Sequence, residues 1–466
     1  MGTHSAGFFG SRFLPAVLLV SSAHALNSDA RLDALGTLPG QARSEARGVS
    51  ADGAMVVGRS ASGERPGIFP PEDPSQRAFS WSPETGIRPL PGLAPVETLS
   101  VATGVSADGS TLVGTSVDAV GVPLPVRWIL GRVEPLALPP GDVHSGGASV
   151  VSGDGNTVLG YVGVPQPNGS ERSVYVRWRN GTPSMDLGEQ FGFTPQSQTS
   201  VSYDGSVTAV SWSSDRLIRW QREVGAVQLR IAPISLEALI AECDCRPALG
   251  GLGLTGDGRR ILGSVGRIGR EAQLLEWIGF GDGTLRSMTV VSNVPLSRLV
   301  ASQTGALCAG MENRFSLEPN PGIGRVLAPY GSLPLLPLLA AQGADVQAFS
   351  SLTNVTAISP DGQWIVGSGS SAASGQPGAF RAKLVLHAEG DVQLTTETVA
   401  SEDGTVVHRL RWPVRDLKVV VESCAALNPQ VPWMEETGNP RIEGSSLALD
   451  AAQSTQTRYF RLRRVE

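Results

Sequence analysis

Six aspartates recur in one short phrase along this chain, and a repeated carboxylate is the first group to consider for chemistry. Each Asp follows a Ser or Thr by two residues and precedes a Gly, as in Ser-Ala-Asp-Gly at 50–53. A ring of carboxylates could bind cations. An Asp in a tight turn, however, accepts hydrogen bonds from its own backbone, and the Gly that follows it supplies a positive φ. The phrase therefore predicts structural turns and no metal site. The repeated turn residues are Asp52, Gly53, Asp108, Gly109, Asp154, Gly155, Asp204, Gly205, Asp257, Gly258, Gly305 (preceded by Thr304 in place of Asp), Asp361 and Gly362.

Tryptophan also recurs at one position of the repeated unit, near the end of an apolar stretch such as VYVRW. The five residues are Trp81, Trp128, Trp178, Trp220 and Trp277. Exposed indole rings would suggest stacking on sugars. A residue that returns in unit after unit serves what all units share, which is their packing. We therefore predict that these tryptophans belong to the core.

The remaining chemistry-bearing residues form no catalytic constellation in the sequence. Beyond residue 25 the chain has only three histidines, His144, His387 and His408, and no G-x-S-x-G phrase. GLGLTG (251–256) matches a dinucleotide-binding fingerprint, but a turn and a strand follow it where that fingerprint needs a helix. No catalytic residue, metal ligand or cofactor is predicted. A pair of catalytic carboxylates stays open, because such pairs show only in three dimensions.

The elements that carry these residues form a repeat. The turn glycines follow one another at intervals of 56, 46, 50, 53, 47 and 57 residues, a period that is typical of propeller blades. One unit contains four short strands, for example at 102–106, 111–116, 125–128 and 133–138. Seven such units predict an all-β fold, a seven-bladed β-propeller.

Both ends of the repeat carry further information. Residues 31–40 look like a fourth strand without its first three, so we expect this N-terminal strand to complete the last blade and close the ring. Third strands of the last two units are expected at 314–317 and 378–384. After about residue 385 the pattern stops, and residues 386–466 predict a small β-sandwich-like domain or, alternatively, an extended tail that caps a blade.

The N-terminus and the bulk composition restrict location and partners. Residues 1–25 combine Arg12, an apolar stretch and an Ala-x-Ala site, which predicts a signal peptide and export to the periplasm, cell surface or medium. The propeller would then span 26–385. A net charge of −6 argues against nucleic acid as a partner, and no other stretch is long and apolar enough for a membrane span. The cysteines (Cys243, Cys245, Cys308 and Cys424) match no zinc motif, and their disulfide state stays open.

The combination S-x-D-G-x-x-φ-V-G, A-F-x-W and G-x-x-x-L resembles the HAF-type repeats of secreted bacterial proteins over roughly residues 31–384. The stretch from 336 to 384 is the most similar, whereas the Trp-Asp dipeptide of WD repeats is missing. The resemblance implies an extracellular location and no assigned activity. The C-terminal segment more weakly resembles the terminal β-modules of exported planctomycete-like or verrucomicrobial proteins.

Length varies in the loops opposite the Asp-Gly turns, at 59–76, 161–173, 230–252 and 331–355, and variable loops on a rigid scaffold are common binding surfaces. We therefore expect an exported, non-enzymatic binding or structural scaffold, monomeric, whose partner is an unknown protein or glycan. The alternative is an extracellular carbohydrate-active enzyme, either a glycoside hydrolase or a polysaccharide lyase. A passive matrix component is a third hypothesis. Facing acids in the central pocket would favour the enzyme, whereas a small and apolar lining would favour the scaffold.

Overall fold

The structure is a computed structural model of the 466-residue chain. It describes residues 30–464 with the exception of 63–74, 95–98, 186, 188–197, 214–215, 222–223, 231–247, 268–269, 279–295, 304–306, 313–321, 329–330, 387–392, 401–405, 416, 418, 428–429, 437–439 and 453–457.

Between residues 31 and 383 the described chain forms seven antiparallel sheets, six of four strands and one of three. The N-terminal strand is β1 (Arg31–Gly36). The next three sheets follow chain order and contain β2 (Arg43–Val49), β3 (Val56–Ala61), β4 (Arg77–Ser82) and β5 (Gly86–Pro89); β6 (Ser100–Val105), β7 (Thr111–Val117), β8 (Pro123–Ile129) and β9 (Arg132–Pro135); and β10 (Ser145–Val151), β11 (Thr157–Pro165), β12 (Glu171–Arg179) and β13 (Thr182–Ser184).

The following three sheets contain β14 (Thr199–Val201), β15 (Val207–Ser213), β16 (Arg216–Gln221) and β17 (Gly225–Arg230); β18 (Ala248–Leu254), β19 (Arg260–Arg267) and β20 (Arg270–Ile278); and β21 (Leu296–Ala301), β22 (Cys308–Glu312), β23 (Ile323–Ala328) and β24 (Gly331–Pro334). The helix α1 (Leu335–Ala341) comes next, within the segment 331–355 that the sequence marks as variable in length. The last of the seven sheets contains β25 (Phe349–Ile358), β26 (Trp364–Ser371) and β27 (Pro377–Lys383).

The N-terminal strand completes this last sheet. β1 pairs antiparallel with β27, with Leu32 opposite Ala382 and Asp33 opposite Arg381. The sheet order is β1-β27-β26-β25, so a strand from the start of the chain fills the fourth place. The predicted closure is confirmed, and it covers an edge that would otherwise be open.

The first strand of each sheet contacts the first strand of the next, and β25 contacts β2, which closes a circle. Small residues allow this close approach. A Cβ on Gly48 would lie 3.1 Å from the Cα of Gly104, and one on Gly253 would lie 2.9 Å from the Cβ of Ala301. Sheets arranged in a ring around a common axis are the β-propeller architecture.

Two local expectations differ from the structure. The third strand of the sixth sheet is β23, whereas the expected segment 314–317 lies outside the described residues; Leu327 of β23 takes the place that Trp holds in other sheets. Residues 161–173 are no long loop, because β11 and β12 continue through most of them and leave a short turn at 166–170. The strand pairing extends there because residues such as Val162 and Val174 are buried.

The C-terminal part contains two further sheets. They contain β28 (Thr395–Ala400), β29 (Val406–Pro413), β33 (Ser446–Ala452) and β32 (Arg441–Glu443); and β31 (Met434–Glu435), β30 (Val419–Cys424) and β34 (Tyr459–Arg464). One cluster of buried apolar side chains joins them to the propeller, with Leu338 of α1, Phe380 of β27 and Trp412 of β29 among its members. The Gln342 side chain, 1% exposed, donates to the carbonyl oxygens of Val385 (2.9 Å) and Val414 (3.2 Å).

Candidate functional site

Each repeated Asp is engaged by its own turn. Ser50 Oγ donates to Asp52 Oδ1 at 2.6 Å, the N–H of Ala54 donates to the same oxygen at 2.9 Å, and the N–H of Met55 donates to Ser50 Oγ at 2.9 Å. The hydrogen bond from Ser50 lowers the pKa of Asp52. The same contacts hold the other repeated aspartates, Asp108, Asp154, Asp204, Asp257 and Asp361. These geometries agree with the structural interpretation of the turns.

Backbone hydrogen bonds connect consecutive turns into a ring around the axis. In each of these bonds the backbone N–H of one turn donates to a backbone carbonyl oxygen of the next turn, with N···O distances of 2.7–3.0 Å. The donor and acceptor residues are Ala51 and Ala107, Ala107 and Gly153, Asp154 and Tyr203, Tyr203 and Gly256, Gly256 and Gln303, and Gln303 and Pro360. Pro360 has no N–H to donate, so the ring does not return to Ala51. The open position coincides with the junction between the last sheet and the first.

The turn glycines have a second reason to be Gly besides their positive φ. A Cβ on Gly205 (φ +66°) would lie 2.1 Å from Oγ1 of Thr157, the residue three after the Asp of the preceding unit. The pattern returns at the junction of the chain ends, where a Cβ on Gly53 would lie 2.4 Å from the Trp364 ring. Gly305 lies outside the described residues. Close packing between neighbouring units therefore explains the repeated Gly as well as the turn does.

The repeated tryptophans lie between sheets. The buried ones are Trp81, Trp128, Trp178 and Trp220. Trp128 Nε1 donates to the carbonyl oxygen of Pro91 at 2.8 Å, and the Arg177 guanidinium lies 3.9 Å from the centre of the Trp220 ring in the next sheet. These contacts offer no ring face to a ligand. The side chain of Trp277 lies outside the described residues.

A cavity lies on the axis, where the first strands of all seven sheets meet. Its volume is about 260 Å³, and its lining consists mainly of Gly, Ala, Val, Leu, Ser and Thr from β2, β6, β10, β14, β18, β21 and β25. Among the described residues that line it there is no Asp or Glu, and Arg47 is the one charged side chain. Among the described residues, the lining is therefore small and largely apolar, it lacks the facing acids that would have favoured a hydrolase, and a single cation is added to it.

Arg47 departs from the repeat. It sits at a register shift of β2, five residues before the turn Asp, and the same shift returns at Thr103, Ser149 and Thr356. The hydroxyl of Thr103 lies 2.8 Å from the carbonyl oxygen of Ala148 in the next sheet. The units that carry neutral residues here use them for packing or for linking sheets, whereas the first unit carries a guanidinium. When the seven units are aligned on their Asp-Gly turns, Arg47 is the one charged residue at this position, so the sequence itself contains the signal.

A small polar cluster holds Arg47. Its Nη2 lies 3.4 Å from Oε2 of Glu45, which also pairs with Arg59 at 2.8 Å. Asn354 of the last sheet donates to Oε1 of Glu45 at 3.2 Å. Glu45 is thus shared between two guanidinium groups, and the Arg47 side chain is 28% exposed. The arrangement can accept a carboxylate or another small anion from the cavity.

Tyr203 is a second departure from the repeat on the same cavity. It occupies the position directly before the turn Asp, on the turn face of the ring, and it is 44% exposed. Two of the variable-loop segments named above fall largely on residues 63–74 and 231–247, which lie outside the described residues.

Other candidate groups give no site in the described part of the chain. No group of three His, Cys, Asp or Glu side chains there could hold a metal ion. Cys308 and Cys424 are buried and form no disulfide within the described part of the chain, while Cys243 and Cys245 lie outside the described residues. In the helices that the structure describes, none is long and apolar enough to cross a membrane.

The C-terminal sheets carry a ladder of ion pairs. Asp450 accepts from Arg409 at 2.8 Å and from Arg441 at 2.9 Å, and these hydrogen bonds, that of Arg409 first, lower the pKa of Asp450 from 3.8 to about 2. Arg441 also pairs with Glu443 at 2.6 Å. These charges neutralise one another on the sheet surface and indicate a structural role.

No protein-family model matches the chain, and no curated protein matches it either. Among solved structures, the chain is similar to an oligogalacturonate lyase in complex with manganese, with 15% identity, a TM-score of 0.48 and coverage of 77% of this chain and 94% of that one. An oligogalacturonate lyase from Vibrio parahaemolyticus has 12% identity, a TM-score of 0.49 and coverage of 77% and 95%. The β-propeller domain of the Trilobed protease from Pyrococcus furiosus has 9% identity, a TM-score of 0.43 and coverage of 76% and 95%.

These comparisons correct one expectation from the sequence. The prediction of a non-enzymatic binding or structural scaffold is contradicted, because two of the similar structures are oligogalacturonate lyases.

Proposed function

We propose that this protein is an exported, seven-bladed β-propeller of the HAF-repeat type, with its blades in residues 26–385 and a C-terminal β-domain in 386–466. The seven sheets, the circle of first strands and the closure by β1 support the blade count. The signal-like residues 1–25 support export.

Within this architecture, the chain acts as a carbohydrate-active enzyme on an acidic saccharide, and its reaction is a lyase reaction. The observation that carries this proposal is Arg47, the one charged side chain among the described residues of the axial cavity. A sugar that bears a carboxylate can form a bidentate pair with a guanidinium, which gives affinity and orientation together.

The lining of the cavity favours a lyase over a glycoside hydrolase. Hydrolysis of a glycosidic bond normally uses two carboxyl groups on either side of the bond. None of the described lining residues is Asp or Glu. In β-elimination a base takes up the proton next to the sugar carboxylate, the C–O bond to the glycosidic oxygen breaks as a C=C bond forms, and that oxygen leaves with a proton from water; the described lining contributes the cation to this step and not the base. Negative charge then builds up on the carboxylate side, where a fixed cation stabilises it.

The size of the cavity restricts how the saccharide binds. A volume of about 260 Å³ lies below the range of roughly 300–1,000 Å³ that is usual for drug-sized ligands. One sugar ring at the end of a chain therefore fits better than an internal stretch of polymer. We expect activity on short acidic oligosaccharides to exceed activity on long polymers.

The test is an activity assay on the mature chain, residues 26–466, with polygalacturonate and its oligomers as acidic substrates and a neutral galactan as the control substrate. Formation of the unsaturated product is followed by its ultraviolet absorbance. Arg47→Gln should lower kcat/KM about 100-fold or more, the usual effect of removing one transition-state charge contact. Arg88→Gln changes an exposed arginine of the same sheet and should leave kcat/KM unchanged. Absence of product from every acidic substrate, or equal activity of the two variants, would refute the proposal.

A further inference from the structure

The turn face of the propeller carries a second departure from the repeat, in the ring of residues that directly precede the turn aspartates. Five of the seven units have Ala, Gly or Pro at this position. The fourth unit has Tyr203 and the sixth has Gln303, and both line the axial cavity. Residues that serve only the ring of backbone hydrogen bonds do not need these side chains, since Ala and Gly form the same bonds.

Each of the two larger side chains leans on a glycine of the preceding unit. A Cβ on Gly153 would lie 2.1 Å from Cδ2 of the Tyr203 ring, and a Cβ on Gly256 would lie 2.6 Å from Cβ of Gln303. Gly153 therefore lies against one face of the Tyr203 ring, near Cδ2 and Cε2, while 44% of the residue stays exposed. The missing side chain at Gly153 is what allows the ring to lie there.

We propose that Tyr203 and Gln303 form a saccharide subsite at the turn-face mouth of the axial cavity, with the tyrosine ring stacked on the apolar face of a pyranose. A fixed, half-exposed aromatic ring at the rim of a polar cavity supplies apolar contact area at low entropic cost. The amide of Gln303 supplies a donor and an acceptor for sugar hydroxyl groups. The proposal rests on the proposed function in taking a saccharide as the ligand.

This site lies on the face that the sequence did not favour. The sequence analysis expects binding at the variable loops on the opposite face, because the Asp-Gly turns of the turn face are constant from unit to unit. The turns are constant, but the residue directly before each Asp is not. Since a ring-stacking contact does not depend on charge, the subsite should bind neutral and acidic sugars alike.

The experiment measures binding by isothermal titration calorimetry, with galacturonate oligomers and neutral galacto-oligosaccharides as the two probes. Tyr203→Ala should weaken the Kd of both probes about 5- to 10-fold, as expected for the loss of one aromatic contact. Tyr203→Phe should retain the affinity. Gly153→Ala should weaken binding without any change to Tyr203 itself, because the new Cβ displaces the ring. Tyr459→Ala, at an exposed tyrosine of β34, is the control and should change nothing.

The outcomes separate this subsite from the proposed function. If Arg47→Gln abolishes activity while Tyr203→Ala and Gly153→Ala leave both Kd values unchanged, the subsite is refuted and the function stands. If the Tyr203 variants weaken binding of both probes while Arg47→Gln leaves activity intact, the function fails and the subsite stands. If neither saccharide binds the wild-type chain, both fail.

Discussion

The junction between the two ends of the propeller depends on one buried ion pair, and its removal should cost a predictable amount of stability. Asp33 of β1 accepts from Nε of Arg381 at 2.9 Å and from Nη2 at 2.6 Å, and the Arg381 side chain is 2% exposed. The guanidinium also donates to the carbonyl oxygen of Gly53 at 2.6 Å and lies 4.4 Å from the centre of the Trp81 ring. Burial lowers the pKa of Arg381, and Asp33 opposes this shift.

Asp33→Asn leaves the buried cation without its counter-charge. Such losses cost about 3–5 kcal/mol, and the lower end applies here because Asp33 is 14% exposed and the other contacts of Arg381 remain. Unfolding entropy of about 2.1 cal/mol/K per residue gives about 1 kcal/mol/K for 466 residues. A loss of about 3 kcal/mol therefore lowers Tm by about 3 °C, which differential scanning calorimetry resolves.

Arg31 provides the matched control, because it pairs with the other oxygen of Asp33 at 2.6 Å but is 58% exposed. Arg31→Gln should lower Tm by less than about 1 °C. Asp33→Leu combined with Arg381→Met should be more stable than Asp33→Leu alone, since both charges are then gone. Equal Tm values for Asp33→Asn and Arg31→Gln would refute this reasoning, and so would an unchanged Tm after deletion of residues 26–40, which removes β1.

Three further changes test local parts of the structure. Leu130→Asn should raise the free energy of unfolding by about 1 kcal/mol, measured by urea denaturation. Leu130 is 93% exposed and has a φ of 50°, a left-handed conformation that Asn adopts more easily and that Asn180 adopts in the equivalent hairpin. An unchanged urea midpoint would contradict this. Gly205→Ala should destabilise by about 1–3 kcal/mol more than Gly225→Ala, since both have positive φ but only Gly205 has a side chain, at 2.1 Å, in the way of a new Cβ; equal losses would show that φ alone matters. The ion pairs lower the pKa of Asp450 from 3.8 to about 2, so its stabilising contribution is fully present above about pH 4 and is lost as the pH falls through about 2. Asp450→Asn should therefore flatten the dependence of urea stability on pH in that window.

The repeat could be read from the sequence because its strongest constraints are local. A tight turn needs Ser, Asp and Gly at fixed spacing, and the φ values of +70° at Gly53 and +75° at Gly109 follow from that chemistry. The strand that closes the ring was also visible, since β1 carries the pattern of a fourth strand. The third strand of the sixth sheet was misplaced because Leu327 stands where other units have Trp, so the aromatic signal is absent there.

The candidate site was harder to predict, because it depends on which residues of seven distant strands meet on the axis. The alternation of a strand shows which residues share a face, but both faces of a first strand pack against neighbouring sheets in a propeller, and it is the unpaired edge of the strand that borders the cavity. Arg47 was readable as an exception at its position in the repeat. Its partners were not, since Glu45 lies in the same strand but Asn354 comes from the other end of the chain and meets it only after closure.

Repetition and exception therefore have different physical origins in this molecule. A residue recurs at each turn when each pair of neighbouring units requires it. The turn glycines are an example, because a Cβ at these positions would come too close to a side chain of the preceding unit. Selection for a ligand acts on the axis as a whole and needs each contact only once. A guanidinium in seven units would place seven cations in about 260 Å³, at a large cost in repulsion and desolvation. A single cation at Arg47 and a single aromatic ring at Tyr203, the groups of the two proposed sites, avoid that cost, and for this reason we look for function at the cavity-lining positions where one unit differs from the others.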